Sequence, residues 1–549
     1  MNCKDRTHHG DQIMFTLFIL MLGAVAWRLY TSIKHLSTIP KEVPWVGRKG
    51  TFSSYLLSQI KAIRNTPSAI NEAYNKYSKD GAICAIPLPF SRPEILVPRS
   101  FVRWMISQGD AVLSPLPVQD EIVGPKYVFL NPSVHGDYAV YNVLRANLNR
   151  QLPKLIPTIM EELAARVDQL WGMDTDWREV QSHPLVRNVV GRVSGRIILG
   201  SPLCYDEGLL DNLSCLANCV FPSALLLRFF PPFLHPLLAH LTTILNCIYK
   251  RKALKVLTPY IQQQIDLLQT DMIRGEKNSH RDDILTWVIA DALRRNEPRE
   301  GLVDRICCRV FTVVFAAIET TTLTMSNTVL DLCASDPSLG VWEGLAEEGH
   351  RMFSSCAGQA PDQAMVNSLV RADSALKETL RLRTSIKALA MQVTAPSGIT
   401  LDGGKLRLPQ GSRLSVSSWG IHHDEEIYPN ASTYDAFRFS RPREGGESAA
   451  SLPDAPTNDN DSKHLMVSAS ETYLPFGMGR HSCPGRYFAA IELKLFLAYL
   501  AVNYDIELAR ERPAFVSIGH FPIPPLNGKL MIRRKRGTVG AGAGHPTGI

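Results

Sequence analysis

The strongest chemical signal in the chain is the run Phe476-Gly-Met-Gly-Arg-His-Ser-Cys-Pro-Gly-Arg486, followed by a helical pattern from Tyr487 to Leu500. A thiolate that binds a metal ion must be deprotonated near neutral pH. Placing Cys483 just before a helix amino terminus favours this, because the macrodipole stabilises negative charge there. Gly477 and Gly479 permit a tight turn whose backbone N–H groups point at the sulfur. Gly485 lets the following backbone approach a flat partner closely. His481, two residues before the cysteine, is placed to meet a carboxylate on the edge of that partner. A lone cysteine in a glycine-rich turn is most often a structural thiol. The whole spacing Phe-x-x-Gly-x-His-x-Cys-x-Gly, from Phe476 through Gly479, His481 and Cys483 to Gly485, is far more specific.

Three further groups suit chemistry or its support. Ala316-Ala-Ile-Glu319-Thr320-Thr321 places an acid beside a hydroxyl in a nearly all-apolar stretch. A carboxylate there can relay a proton inward, and a hydroxyl can hold a water. The competing reading of Thr320 is a helix-interior threonine bonded to its own i−4 carbonyl. Glu378-Thr-Leu-Arg381 puts acid and base one turn apart on a helix, which alone is most often a solvated ion pair worth ~0.2–0.5 kcal/mol. Downstream stands Tyr434-Asp-Ala-Phe-Arg438-Phe439.

The cysteine loop resembles the haem-binding signature of the cytochrome P450 family, with His481 where arginine is frequent. The other groups stand in that family's order. Glu319–Thr320 resembles its oxygen-binding groove, with Ala317 where glycine is frequent. That methyl narrows the groove. Glu378, Arg381 and Arg438 resemble its buried triad. The resemblance implies haem b (iron protoporphyrin IX), an iron held by Cys483, Glu319 and Thr320 in proton delivery, and the triad locking the core. It also implies dioxygen and electrons from an NADPH-dependent diflavin reductase, since no flavin or nicotinamide fingerprint is present. The family's Trp-x-x-x-Arg helix motif is missing. Arg145, in Tyr141-Asn-Val-Leu-Arg145, is a weak candidate for the haem carboxylate.

The elements that must position these residues are mostly helical. Apolar residues recur at helical spacing over 155–171, 250–270, Ala372–Arg383 and 302–334, the last too apolar at its centre for any exposed face. Strand signals are few: Ala82–Pro87, Ile95–Pro98 and Leu414–Ser417. The fold class is therefore mainly α with small β-sheets. The resemblance implies the triangular haem-thiolate monooxygenase fold, preceded by an N-terminal membrane anchor helix.

The 549 residues are 45% hydrophobic and 20% charged, ordinary globular composition. A net charge of +7 is dispersed, without the basic blocks of a nucleic-acid arm. Eleven scattered cysteines form no disulfide framework and suit a reducing compartment. Ile13 to Trp27 is apolar except for Thr16, and Leu29 and Tyr30 extend it toward the ~20 residues of a bilayer span. The basic residues Lys34, Lys41, Arg48 and Lys49 predict that the carboxyl side faces the cytosol.

The expected layout is a luminal 1–12, a signal anchor 13–30, a proline-containing hinge 31–50 and a catalytic domain 51–549, with a mobile loop at 441–470. The apolar, proline-interrupted stretch 219–245 reads either as a buried helix pair or as a loop dipping into lipid. The expectation is a single-pass endoplasmic reticulum enzyme acting on an apolar small molecule, terpenoid or polyketide-derived, in fungal secondary metabolism. The rivals are a reductase-independent rearranging or dehydrating member, and a haem sensor.

Overall fold

The computed structural model describes residues 39–47, 66–88, 91–129, 131, 136–228, 230–274, 282–384, 387–401, 404–445, 463–518 and 521–536, with scattered positions at 23–34, 57 and 61. The chain falls into two compact units. One comprises Met1–His135, Cys219–Ile248 and Ala390–Val416, and the other Gly136–Asn218, Tyr249–Leu389 and Ser417–Ile549.

The second unit is a helical body around one long helix, Leu302–Cys333. Its apolar run buries Cys307, Cys308, Val310, Val314 and Ile318, but Ala316 is exposed, so the expectation of a centre with no exposed face does not hold there. Packed against it are Ala139–Trp171, Ser182–Leu199, Ile284–Arg294, Val370–Leu382 and Arg486–Asn503. The first of these begins well before the expected 155, because it runs through Pro153, and it carries Pro157 as well. Each proline forfeits a backbone hydrogen bond. The buried stripe Val143, Leu144, Leu148, Leu152, Leu155 and Ile156 carries the helix across them. A three-stranded antiparallel sheet, Arg178–Gln181, Lys529–Arg534 and Tyr504–Leu508, completes this unit together with the hairpin Val516–Ile518 and Phe521–Ile523.

The first unit holds a five-stranded sheet in the order Cys84–Ile86, Glu94–Leu96, Arg413–Val416, Leu389–Val393, Leu113–Ser114. The three strands expected from sequence fall in this sheet: Cys84–Ile86 and Glu94–Leu96 are shorter than expected, and Arg413–Val416 is shifted by one residue. Buried Arg413 pins the helix Leu116–Val123 to the sheet through Glu121 at 2.5 Å. Burial would raise the Glu121 carboxyl, but Arg413, Arg92 and Arg228 hold it below the ordinary value.

Within 219–245 the structure has the end of the helix Glu207–Leu227, with Pro222 inside it, a short 3-10 turn at Pro232–Leu234, and the helix His235–Thr242. Val220, Ala224, Leu227 and Ala239 are buried, whereas Phe233, Leu237 and Leu241 are 76%, 72% and 76% exposed. One face of this stretch is therefore core and the other is bare, and it is helical rather than an open loop. Of the expected anchor 13–30, only Gly23, Val25–Trp27 and Tyr30 lie among the described residues, where they are helical; the rest lies outside them. Two described helices are long and apolar enough to cross a membrane, Glu207–Leu227 and Leu302–Cys333, and the second is largely buried. Of the expected loop 441–470, residues 446–462 lie outside the described residues.

Candidate active site

The cysteine loop closes on itself. The Cys483 N–H donates to the Phe476 carbonyl at 2.9 Å, and Ser482 N–H to Gly479 at 3.1 Å. Gly477 and Gly479 have φ of 65° and 75°, the left-handed region that a side chain would strain. Burial raises the Cys483 thiol. Against that stand the N–H groups of Gly485 and Arg486, directed at the sulfur, and the Arg486 charge. The Arg486 guanidinium also ties the loop by donating to the Cys483 carbonyl at 2.9 Å and the Ser482 hydroxyl at 3.1 Å. Arg145 donates to the Arg480 carbonyl, so the helix Ala139–Trp171 brings it to the cysteine loop. His481 Nε2 accepts from Arg480 Nε at 3.2 Å.

Glu378 and Arg381 are wholly buried on the helix Val370–Leu382, with two contacts of 2.7 and 2.8 Å between them. Arg438 Nε adds a third at 3.0 Å, and the Asp435 N–H a fourth at 3.2 Å. Arg381 also donates to the carbonyls of Ala431, at 2.7 Å, and His422. His422 was not singled out from sequence. Its Nε2 accepts the Leu474 N–H at 3.1 Å, which leaves Nδ1 to donate to the Arg381 carbonyl at 3.2 Å. Burial pushes its pKa well below the ordinary value, so it stays neutral and can accept. A continuous chain of bonds thus runs from Glu378 through Arg381 and His422 to the start of the cysteine loop.

On the long helix, Ala316 and Thr320 are exposed although they stand at the centre of a largely buried element. They lie one turn apart on one face, so that face borders open space. The Thr320 hydroxyl donates to the Ala316 carbonyl at 2.7 Å. Thr312, Thr324 and Thr328 make the same intrahelical bond. What distinguishes Thr320 is its exposure beside Ala316. Glu319 points elsewhere. Its Oε1 accepts from Arg187 Nη2 at 2.6 Å, and that nitrogen also donates to the Ser214 carbonyl at 2.7 Å. Burial raises the Glu319 carboxyl, opposed by the Arg187 charge. Arg187 escaped sequence reasoning because it lies in another helix with no motif around it.

The cytochrome P450 family model matches residues 139–531. The chain belongs to the cytochrome P450 family. Among its relatives, the cytochrome P450 monooxygenase gloO of Glarea lozoyensis is 32% identical over 521 residues, 94% of this chain and 96% of that protein. Monooxygenase ecdH of Aspergillus rugulosus is 31% identical over 526 residues, 95% and 97% of the two chains. Monooxygenase polB of Polytolypa hystricis is 31% identical over 505 residues, 90% and 94%. The P450 family is one of haem-binding oxidoreductases that use dioxygen, a redox partner and a small-molecule substrate. The residues of this P450 fit a haem. A Cβ built on Gly485 meets nothing within 4 Å, which leaves clearance beside the sulfur for a flat ring. Cys483 is unpaired with any other cysteine.

Proposed function

We propose that this P450 is a haem b monooxygenase of fungal secondary metabolism that inserts one oxygen atom from dioxygen into an apolar terpenoid or polyketide-derived molecule. The cysteine loop carries this reading: a free sulfur met by two backbone N–H groups, with open space over Gly485. When bound, haem with a thiolate ligand supplies reductive activation of dioxygen and transfer of one oxygen atom to carbon. Cys483 would hold the haem iron through its sulfur, and the N–H bonds to that sulfur would tune its electron donation. Arg145 and His481, both at the cysteine loop, would answer the haem carboxylates. Glu319 holds a proton for delivery, and Thr320 orients water on the open face. The triad of Glu378, Arg381 and Arg438 fixes the support of the loop. A diflavin reductase supplies the electrons from NADPH. A rearranging member that needs no reductase would have little use for an acid–hydroxyl pair, and its retention here favours oxygen insertion.

The test is expression with a reductase and product profiling from candidate terpenoids and polyketides. The reduced protein with carbon monoxide should give the red-shifted Soret band of a thiolate ligand, and Cys483→Ala should abolish it. A retained band in the variant would remove Cys483 as ligand. Turnover without NADPH would favour the rearranging reading.

The same reading places the enzyme on the endoplasmic reticulum membrane through 13–30, with the bare face of Phe233, Leu237 and Leu241 as a second, shallow lipid contact. Deleting residues 1–30 should release only part of the protein from microsomes. Adding Phe233→Asp and Leu237→Asp should release the rest. Full release by the deletion alone would exclude the second contact.

A further inference from the structure

Away from the cysteine loop, three sulfur atoms meet at the end of the helix Val341–Ser355. Met352 and Cys356 stand one turn apart there, which places both on one face. Ala357 and Gly358, with φ of 48° and 81°, then turn the chain back. The short helix Gln363–Asn367 follows, and its cap Asp362 accepts the Met365 N–H at 2.8 Å. The Cys356 Sγ lies 3.6 Å from the Met365 Sδ and 3.9 Å from the Met352 Sδ. Met352 and Cys356 are buried, while Met365 keeps part of its surface.

Thiols and thioethers often meet as simple packing, because both are soft and apolar. The spacing here also answers a bond length. A metal held by three sulfurs in one plane at about 2.3 Å sets those sulfurs ~4.0 Å apart. Both distances from Cys356 fall within a few tenths of an ångström of that value. We infer that Met352, Cys356 and Met365 form a binding site for one soft monovalent cation, copper(I). One thiolate with two thioethers is a donor set that selects copper(I). Zinc(II) takes further thiolates, imidazoles or carboxylates. Among the described residues no three of His, Cys, Asp and Glu come together to hold a metal ion. The site stands independently of the monooxygenase reading.

The ligand must be a thiolate, so Cys356 has to lose its proton. Burial raises its pKa, and the Asp362 carboxylate adds to this. Binding therefore exchanges one proton for one copper(I): the S–H bond breaks as the sulfur–copper bond forms, the proton leaves to water, and no electron moves. The Asp362 charge that opposes the bare thiolate favours the incoming cation. The hydrogen bond given up is the thiol's own, to the Met352 carbonyl at 3.3 Å. Unbranched methionine side chains supply the small closing movement without a shift of backbone. A bound ion staples the end of Val341–Ser355 to the segment that leads into Val370–Leu382, the helix of Glu378 and Arg381.

The experiment uses the full-length holoenzyme under anaerobic, reducing conditions. Copper(I) is supplied from a coloured copper(I) chelator whose absorbance reports the metal it yields. The variants are Met352→Leu/Met365→Leu, which keeps Cys356 and nearly the same volume, and Cys356→Ser. Haem content and the carbon monoxide band report folding. Other cysteines can also take copper, so the readout is a difference between proteins. The wild type should hold one tightly bound copper(I) that both variants lack. Affinity at this site should fall about a hundredfold in the double leucine variant, the upper end of what losing even a supporting partner costs a metal site. Copper X-ray absorption on protein carrying one equivalent should show only sulfur neighbours, at about 2.3 Å. That equivalent should raise the melting temperature of the wild type and leave the double leucine variant unchanged. An excess of zinc(II) should not displace it. Should the double variant fail to take up haem, Met365→Leu at the partly open edge carries the same comparison. Equal copper uptake and equal melting shifts in the wild type and the leucine variant would overturn the site and leave three sulfurs in packing contact only. Displacement by zinc(II) would overturn the choice of cation.

Discussion

Glu378 and Glu319 are both glutamates that meet arginine in the same unit, yet their surroundings differ in every respect that matters. Glu378 is wholly buried and receives four N–H groups, from Arg381, Arg438 and Asp435. Glu319 is partly open and receives one. Two cations on a sealed carboxylate make a fixed joint, since moving either member would strand a charge at several kcal/mol. One shared N–H on a partly exposed carboxylate holds it far less firmly. The same residue type therefore serves as scaffold in one place and as proposed reagent in the other, and the number and seal of its partners separate the two.

Breaking the fixed joint should have the largest effect. In Arg381→Ala, Glu378 keeps Arg438 but loses its closer cation, and the carbonyls of Ala431 and His422 lose a donor. The expected cost is about 3–5 kcal/mol, enough to remove most folded protein. Because the chain of bonds continues through His422 to Leu474, haem uptake should fail with it. Arg438→Ala should cost less, because its remaining bonds go to carbonyls at the surface, such as Pro429 at 2.6 Å. Haem content after expression, read from the carbon monoxide band, ranks the two. Equal, normal haem content in both would reduce the triad to an ordinary ion pair.

Disturbing the open pair should leave the fold alone and change the chemistry. Thr320→Ala removes an exposed hydroxyl whose one described bond is local, so stability should move by no more than ~0.5 kcal/mol. Substrate binding should survive, while electrons are diverted to hydrogen peroxide. The measurement is peroxide released and product formed per NADPH oxidised. Wild-type coupling in Thr320→Ala would confine this residue to its intrahelical bond.

These differences were unevenly legible in the sequence. Cys483 and its glycines were readable because a loop's geometry is written in consecutive residues. The pairing of Glu378 with Arg381 was readable as an i,i+3 relation, and its burial only through the family resemblance, since burial comes from elements far along the chain. The helix Leu302–Cys333 was placed within a residue of its ends by its apolar run. The start of Ala139–Trp171 was missed because Pro153 looks like a break, and only packing overrules it. Arg187 and His422 left no local trace. Each matters through one partner on a separate segment, and a single sequence does not encode such meetings.

Glu492 marks the far end of the comparison, an acid with no cation beside it among the described residues. It is buried on the helix Arg486–Asn503, and its described partner is the Ser194 hydroxyl, 3.3 Å from both carboxyl oxygens. No salt bridge reaches it among the described residues. Burial pushes its pKa up to about 8, the Ser194 bond pulling slightly the other way. It is therefore a neutral acid at neutral pH, in contrast to the ion pair at Glu378. A folded-state value raised above the unfolded one gives stability that is complete below the ordinary carboxyl range and lost as pH rises through the folded value. The wild type should thus lose thermal stability between about pH 5 and pH 8, with a slope from this group of at most ~1.4 kcal/mol per pH unit. Glu492→Gln keeps the shape and the hydrogen bond from Ser194 but cannot ionise. Its melting temperature should match the wild type at the acidic end and exceed it increasingly toward the basic end, with the haem loading equal. Parallel melting profiles for the two proteins across that range would mean that Glu492 finds a counter-charge in solution, and the gradation from two cations to none would lose its last step.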